Sequence, residues 1–441
     1  MDKSRRKFIA LTGKIAAGAG VLSGMPLVSA AKKIKVSAND KMVVGLIGCN
    51  GMGFEDLSQF LKFPEVECAA LCDVDQNVLD RRNSDLEKRT GKKADVYGDY
   101  RKLIDRKDID IVIIGTPDHW HCLPMTLACE AGKDVYCEKP VGHSMHECDI
   151  MQNYARKYNR VVQVGQWQRS GPHWKDAIDF VYSGKLGNIR TVKTWAYQGW
   201  MKPVSVIADE SVPAGVDYDF WLGPAPKRPF NKNRFHFNFR WFWDYAGGLM
   251  TDWGVHIIDF GLFGMKADTP ASVSVAGGKF AYPDDASETP DTLTAIYEFG
   301  NFDLIWEHAT GIDGGPYRRN HGVAFIGNSG TLVVDREGWE VIPEQENGKY
   351  KMEAIPPHYG EGRDLEYHVK NFLDCVKSRA KPACDISIAV NTAKVAHMGN
   401  IAYKTGRKLL WDKSNNRFIN DAQANELMTR MYRAPWKFPE T

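Results

Sequence analysis

A chain of 441 residues is long enough for about two domains. Its 57 basic and 55 acidic side chains leave a net charge of +2, which gives no electrostatic reason to expect nucleic acid. With 43% hydrophobic and 25% charged residues it has the composition of an ordinary soluble protein, which argues against disordered and membrane-embedded classes. The opening run, Ser4-Arg5-Arg6-Lys7-Phe8-Ile9, followed by the apolar stretch from Ala10 to Leu27 and then Val28-Ser29-Ala30, reads as a twin-arginine export leader. Cleavage is expected after Ala30, with 31–40 as a linker. The glycines and alanines of the apolar stretch keep it weakly hydrophobic and short of the ~20 apolar residues a span needs, so no stable membrane span is expected after cleavage.

From Lys41 the pattern becomes regular. Met42 to Ile47 is a buried-strand run, and Gly48-Cys49-Asn50-Gly51-Met52-Gly53 follows it at once. This is a G-x-G-x-x-G turn with Asn50 in place of the second glycine, and asparagine is the side-chain-bearing residue that best tolerates a left-handed turn. Phe54 to Lys62 has helical spacing, so its free N–H groups are expected to face a pyrophosphate, with Gly48, Asn50, Gly51 and Met52 of the turn as cofactor-binding residues. The next strand, Val66 to Leu71, leads to Asp73, about twenty residues beyond the turn, where a carboxylate meets a ribose 2′-hydroxyl. A 2′-phosphate would be repelled there, so NAD rather than NADP is expected.

A later strand, Ile109 to Ile114, ends in Thr116-Pro117-Asp118-His119-Trp120-His121, and a helix from Leu123 to Ala131 stops at Gly132. The apolar run through Val135-Tyr136-Cys137 then delivers Glu138-Lys139-Pro140 to the carboxyl end of its strand. This βα rhythm predicts a doubly wound parallel sheet with Thr116, Pro117, His119, His121, Glu138 and Lys139 over the cofactor crevice. Each histidine could equally be a helix-start residue that meets only water. A strand from Val161 to Gly165 then carries Gln166 toward the cofactor, and Trp167 and Arg169 toward substrate.

At this point the chain resembles the glucose-fructose oxidoreductase, inositol dehydrogenase and MocA family of sugar and polyol dehydrogenases. The resemblance is carried by Gly48 to Gly53, Asp73, Thr116-Pro117, His121, Glu138-Lys139-Pro140 and Asp252-Trp253-Gly254-Val255-His256-Ile257-Ile258-Asp259. It implies that Lys139, Asp252 and His256 line the place where hydride passes between nicotinamide and a sugar carbon. The spacing supports this independently: Asp252 and His256 are four apart, on one helix face if Gly247-Gly248 precedes a helix. Carbinol oxidation needs a base, and either a neutral imidazole or a lysine with a lowered pKa fits. The fold class expected is α/β: an N-terminal Rossmann sheet over 41–163, then an α+β domain over 164–441 with a large, open, mainly antiparallel sheet. By resemblance that sheet forms a homodimer or homotetramer interface.

Strand-like runs at Ala271 to Val275, Thr292 to Phe299, Phe302 to Ile305, Val323 to Ile326 and Thr331 to Val334 fit such a sheet. Between them, Trp200 to Trp243 is rich in aromatics and proline. Rimmed by Arg234, His236 and Arg240, its rings, Trp243 among them, suit either a carbohydrate wall or an arm packed on a neighbouring subunit. Helical spacing over Asp364 to Thr405 predicts a tail that packs back on the first domain, and the last residues are expected to dock on the surface. The nine cysteines read as small core residues, and no metal-ligand spacing occurs.

Outside the inner membrane no free NAD pool recharges a dissociated cofactor, so export implies a tightly bound NAD. The expected activity is hydride transfer to or from a sugar or glycoside, C3 favoured. One alternative is an NAD-dependent glycosidase working by transient C3 oxidation and elimination; superfamily members of that kind lack the Glu-Lys-Pro lysine. A second is a non-catalytic sugar-binding relative, which predicts decay of Lys139, Asp252 or His256.

Overall fold

The computed structural model describes residues 41–440. The twin-arginine leader and the linker expected before them lie outside the described residues.

The first sheet holds β1 (Met42–Ile47), β2 (Val66–Cys72), β3 (Asp95–Tyr97), β4 (Ile111–Ile114), β5 (Asp134–Cys137) and β6 (Val162–Val164). They run parallel in the order β3-β2-β1-β4-β5-β6. The crossovers carry α1 (Gly51–Phe60), α2 (Gln76–Thr90), α3 (Tyr100–Ile104), α4 (Cys122–Glu130) and α5 (Met145–Lys157). Helices on both faces bury every residue of β4 and β5, which is why these strands read as unbroken apolar runs. The order reverses between β1 and β4, and a crevice opens at their carboxyl ends.

After α6 (Pro172–Tyr182), β7 (Ile189–Gln198) begins the second sheet. An arm over 199–247 carries the short α7 (Tyr218–Leu222), and α8 (Gly248–Asp252) and α9 (Gly254–Met265) follow. The chain continues through β8 (Ser272–Gly278), β9 (Thr292–Glu298), β10 (Asp303–Thr310), β11 (His321–Gly327), β12 (Gly330–Val334) and β13 (Gly338–Pro343). A small separate hairpin, β14 (Gln345–Glu346) and β15 (Lys349–Tyr350), precedes β16 (Ile355–Tyr359). Then come α10 (Asp364–Ser378), α11 (Ile386–Thr405), β17 (Leu409–Asp412), β18 (Arg417–Phe418) and α12 (Ala422–Glu426). The large sheet runs β16-β13-β12-β11-β7-β10-β9-β8-β17-β18. It is antiparallel apart from β7 against β10, so the expected open, mainly antiparallel sheet is present.

Period-two burial places Leu293, Ala295 and Tyr297 of β9 in the core, while Thr294 and Ile296 face outward. The inner face packs Trp306, Tyr297 and Phe325 against α6, α9 and α11. The tail helices contact the first domain: Glu366 of α10 accepts from Lys62 at 2.9 Å, and Lys394 of α11 donates to Asp149 at 2.5 Å.

The arm crosses the end of β2. The Asp217 amide donates to the Val74 carbonyl (2.9 Å), the Gln76 amide to the Gly215 carbonyl (2.8 Å), and His236 Nε2 lies 2.8 Å from Asp75 Oδ2. Most of its rings, including Tyr218, Trp221, Phe230 and Phe242, form a core of their own.

Candidate active site

One cavity of about 520 Å³ follows the crevice between the two sheets. At one end stands the turn after β1. Gly48 has φ +83° and Gly51 φ +46°, so these two carry the left-handed geometry. Asn50 does not: at φ −92°, ψ 164° it is extended, which corrects the expectation from its residue type. Its side chain accepts from Arg81 (3.1 Å) and makes no cap hydrogen bond, so the first amides of α1 remain unclaimed where Asn50, Gly51 and Met52 line the cavity. A Cβ at Gly53 would overlap the Gly48 carbonyl oxygen, and one at Gly115 would overlap Gly53 Cα. Glycine is therefore required for β1, α1 and β4 to close this turn.

Asp73 lies beside it. Its carboxylate accepts from the Cys49 amide (2.8 Å) and the Asp75 amide (3.1 Å) while lining the cavity. The N-cap of α2 is Asp75, so Asp73 is not spent on capping. Unclaimed amides at a helix start, a glycine-tight turn and a fixed carboxylate at the next strand end fit NAD.

At the other end, β5 delivers Lys139. Its Nζ donates to Asp252 Oδ1 at 2.5 Å and to the Asp252 carbonyl at 3.1 Å. Asp252 closes α8 and His256 stands in the first turn of α9, so a break at Trp253 replaces the single helix face expected; both nonetheless line the cavity. Burial acts on Asp252 most strongly and upward, yet Lys139 and Arg240 outweigh it and hold the carboxyl below its ordinary range. Arg240 Nε is 3.5 Å from Asp252 Oδ2.

His256 is held well below its ordinary value, by burial first and then by Lys139 and Arg336, so its ring is neutral. Nδ1 lies 2.9 Å from Gln168 Oε1; the tautomer satisfying that contact donates from Nδ1 and leaves the Nε2 lone pair free. Burial likewise lifts Asp118 and Glu138 to about 7, against the pull of Lys139 on each.

Thr116, Pro117, Glu138 and Trp167 also line the cavity. Five other expected residues do not. His119 packs among aromatic rings, with Nε2 3.0 Å from the Trp221 carbonyl, and burial lowers it to about 3. His121 sits between the Pro140 (2.6 Å) and Thr116 (2.8 Å) carbonyls, bracing the loops rather than the cofactor. The Gln166 side chain donates from Nε2 to the Val255 carbonyl (3.2 Å). Arg169 is committed to Asp259 by two hydrogen bonds of 2.6 and 2.9 Å. Trp243 donates to the Glu288 carbonyl (3.0 Å) and lies under Lys404, beside a separate small hollow. Of the arm's polar rim, His236 and Arg240 reach the cavity, while Arg234 turns to the Pro229 carbonyl (2.7 Å). Asp118 and Arg336 line the cavity without having been singled out from sequence, and Gln168 braces it from behind.

The model of the oxidoreductase family's NAD-binding Rossmann fold matches residues 42–166, and that of its C-terminal alpha/beta domain matches residues 186–438. The chain belongs to the Gfo/Idh/MocA oxidoreductase family. Among curated members it is 36% identical over 187 residues to an alpha-N-acetylgalactosaminidase of Shewanella oneidensis, covering 41% of this chain and 40% of that protein. It is 35% identical over 202 residues to glycosyl hydrolase family 109 protein 1 of Shewanella sp. (strain ANA-3), covering 42% and 44%. The chain thus spans less than half the length of these curated relatives. Two solved structures share the fold. A levoglucosan dehydrogenase in complex with NADH and L-sorbose has TM-score 0.65 and 17% identity, over 84% of this chain and 98% of that one. An aldose-aldose oxidoreductase from Caulobacter crescentus has TM-score 0.63 and 19% identity, over 84% and 100%.

Proposed function

We propose that this protein is an NAD-dependent oxidoreductase that moves hydride between a bound nicotinamide and a carbinol or keto carbon of a sugar or glycoside, C3 favoured. The observation that carries the reading is the Lys139–Asp252 pair beside the neutral ring of His256, in the same cavity as the glycine turn. Bound NAD supplies the hydride acceptor and donor. His256 Nε2, its lone pair free, takes the proton of the reacting hydroxyl. The Lys139 ammonium, oriented by Asp252, donates a hydrogen bond to the same oxygen as negative charge grows on it. Glu138 and Asp118, lifted by burial to about 7, line the same cavity. All three central residues are intact and together, against the reading of a non-catalytic binder.

A second reading draws on the curated relatives whose names are glycoside hydrolases: transient hydride transfer from C3 to NAD acidifies the C2 proton, loss of that proton expels the aglycone from C1, water adds at C1 as a proton returns to C2, and the hydride goes back to C3. Free sugars and aryl glycosides, supplied to the purified protein, separate the two. Net oxidation gives ketone in step with reduction of the bound NAD, and continues past that point only when a keto sugar is added as hydride acceptor. Aglycone release without ketone sinks net oxidation, and neither product sinks both readings.

We further infer that the cofactor is retained and the chain exported. Retention is supported by the arm tied over the end of β2, and export by the Arg5-Arg6 run. Purified protein then keeps its NAD through dilution and buffer exchange, and the mature form fractionates with the periplasm. The outward face of the large sheet, with Ile296 41% exposed, suits a homodimer or homotetramer contact, which light scattering reads directly.

A further inference from the structure

Arg336 lies in the turn between β12 and β13 and enters the cavity from the second domain. Its guanidinium carbon is 4.1 Å from the ring centre of Trp167 and 4.5 Å from that of Trp253. Two indoles therefore hold the plane, and its N–H edge is what remains for a partner. Among the described residues it has none. Nε is buried without a hydrogen-bond acceptor, and no carboxylate comes within ion-pair distance of the group.

The nearby acids are engaged elsewhere. Asp335 pairs with Arg319 at 2.9 Å; Asp364 accepts from Trp174 Nε1 at 2.9 Å through Oδ2, and although its charge and that of Asp252 favour the Arg336 cation, its buried Oδ1 has no hydrogen-bond partner and makes no ion pair with Arg336. Asp252 is taken by Lys139. Burial pulls Arg336 down to about 10, which leaves it protonated at neutral pH. An enclosed cation without a counter-charge is costly unless a ligand supplies one.

The balance of this end of the cavity says the same. Lys139, Arg240 and Arg336 bring three positive charges, and Asp252 is the carboxylate held firmly ionised among them, because Asp118 and Glu138 are lifted to about 7. His321, behind Arg336, is buried and neutral, lowered to about 3. The pyrophosphate of a dinucleotide belongs at the glycine turn. Arg336 shares its wall instead with Trp167, Trp253 and His256, so the charge it meets is carried by the molecule beside His256.

We propose that Arg336, between Trp167 and Trp253, is the subsite for a carboxylate on the substrate, so that the protein acts on an acidic sugar of the hexuronate class or a glycoside of one. The planar fork of a guanidinium matches a carboxylate with two parallel hydrogen bonds, and the indole faces suit the C–H face of a pyranose. This inference rests on the proposed sugar oxidoreductase reading and names its substrate class.

The test uses the full-length protein with its NAD and compares methyl glucuronoside and galacturonoside with the matching neutral hexosides, the uronate methyl esters and hexose 6-phosphates. Binding is read from tryptophan fluorescence, since Trp167 and Trp253 flank the site, and turnover from NADH absorbance. The expected result is that uronates bind and react about 10- to 100-fold better than neutral sugars or esters. Arg336→Met should remove most of that preference, and Arg336→Lys should restore part of it, which separates lost charge from a misfolded variant. Neutral sugars turned over as well as uronates, with the ratio unchanged in Arg336→Met, would overturn the subsite while leaving the oxidoreductase reading intact. A preference for the phosphates would overturn the carboxylate assignment. Uronate binding that depends on Arg336 without any hydride transfer would sustain the subsite and sink the oxidoreductase reading.

Discussion

The amide oxygen of Gln168 lies 2.9 Å from Nδ1 of His256, and this one contact decides which ring nitrogen carries the proton. Replacing Gln168 with leucine frees the ring to take the other tautomer. A net hydrogen bond is worth about 1 kcal/mol, so kcat/KM should fall about fivefold. Gln168→Glu tests the same link by pH. A carboxylate beside Nδ1 raises the imidazole pKa, so the variant should lose activity as pH falls below about 7, whereas the wild type, with its lowered pKa, stays flat through that range. Parallel pH–rate profiles check this, and a purely structural role for Gln168 would not move the acid limb.

Lys139→Met should lower kcat by about 100-fold or more, because the growing alkoxide loses its hydrogen-bond donor. Added methylamine should restore part of the rate without changing NAD binding. If the rate survives the substitution, the role given to Lys139 fails. Asp252→Asn leaves Lys139 and Arg240 without their shared carboxylate, and should cost kcat more than KM.

Asp73 should hold NADP out. The wild type is expected to bind NAD at least about 100-fold more tightly than NADP, and Asp73→Ser should narrow that ratio chiefly by improving NADP. Energy transfer from tryptophan to bound reduced cofactor measures both affinities. The variant also leaves the Cys49 and Asp75 amides without an acceptor, so a lower melting temperature should accompany the change.

His236→Ala should speed cofactor release, since it cuts the contact between the arm and Asp75 at the end of β2. Stopped-flow displacement of bound NADH reads the rate. An unchanged off-rate would remove the arm from any part in retention.

Glu147 of α5 is buried, which pushes its carboxyl up to about 8, and it accepts from the Tyr432 hydroxyl at 2.7 Å. A folded-state pKa above the unfolded value stabilises fully below about 4.5, and that contribution is lost as pH rises through about 8. Glu147→Gln cannot ionise, so its melting temperature should gain on the wild type steadily between those limits. A difference independent of pH would refute the assignment.

Much of the site was legible because the first domain builds it from strand ends. A buried run followed at once by Gly48, Asp73 or Lys139 places that residue at the crevice whatever the second domain does. What lay hidden depends on contacts between domains. Arg336 follows β12 with no local motif, and only the fold of the large sheet brings it beside Trp167. Neighbours on a 3-10 turn point about 120° apart, so Gln168 meets His256 while Arg169 turns away to Asp259, and sequence adjacency favoured the wrong one. Asn50 was expected to be left-handed from its residue type, but Gly48 and Gly51 already supply the turn on either side. The arm's rings proved divided: Phe237 and Phe239 reach the cavity, while Trp243 serves Glu288 and Lys404.

All nine cysteines are free, eight of them buried, and burial raises the thiol pKa of every one. The thiolate is the reactive form, so alkylating and oxidising reagents find almost nothing to attack while the chain is folded. The labelling rate in native buffer therefore becomes a clock for global opening, with nine reporters spread through both domains. It also makes the order of events matter in an oxidising compartment: a chain that arrives folded keeps its thiols, and one that must fold there exposes all nine to wrong pairing first.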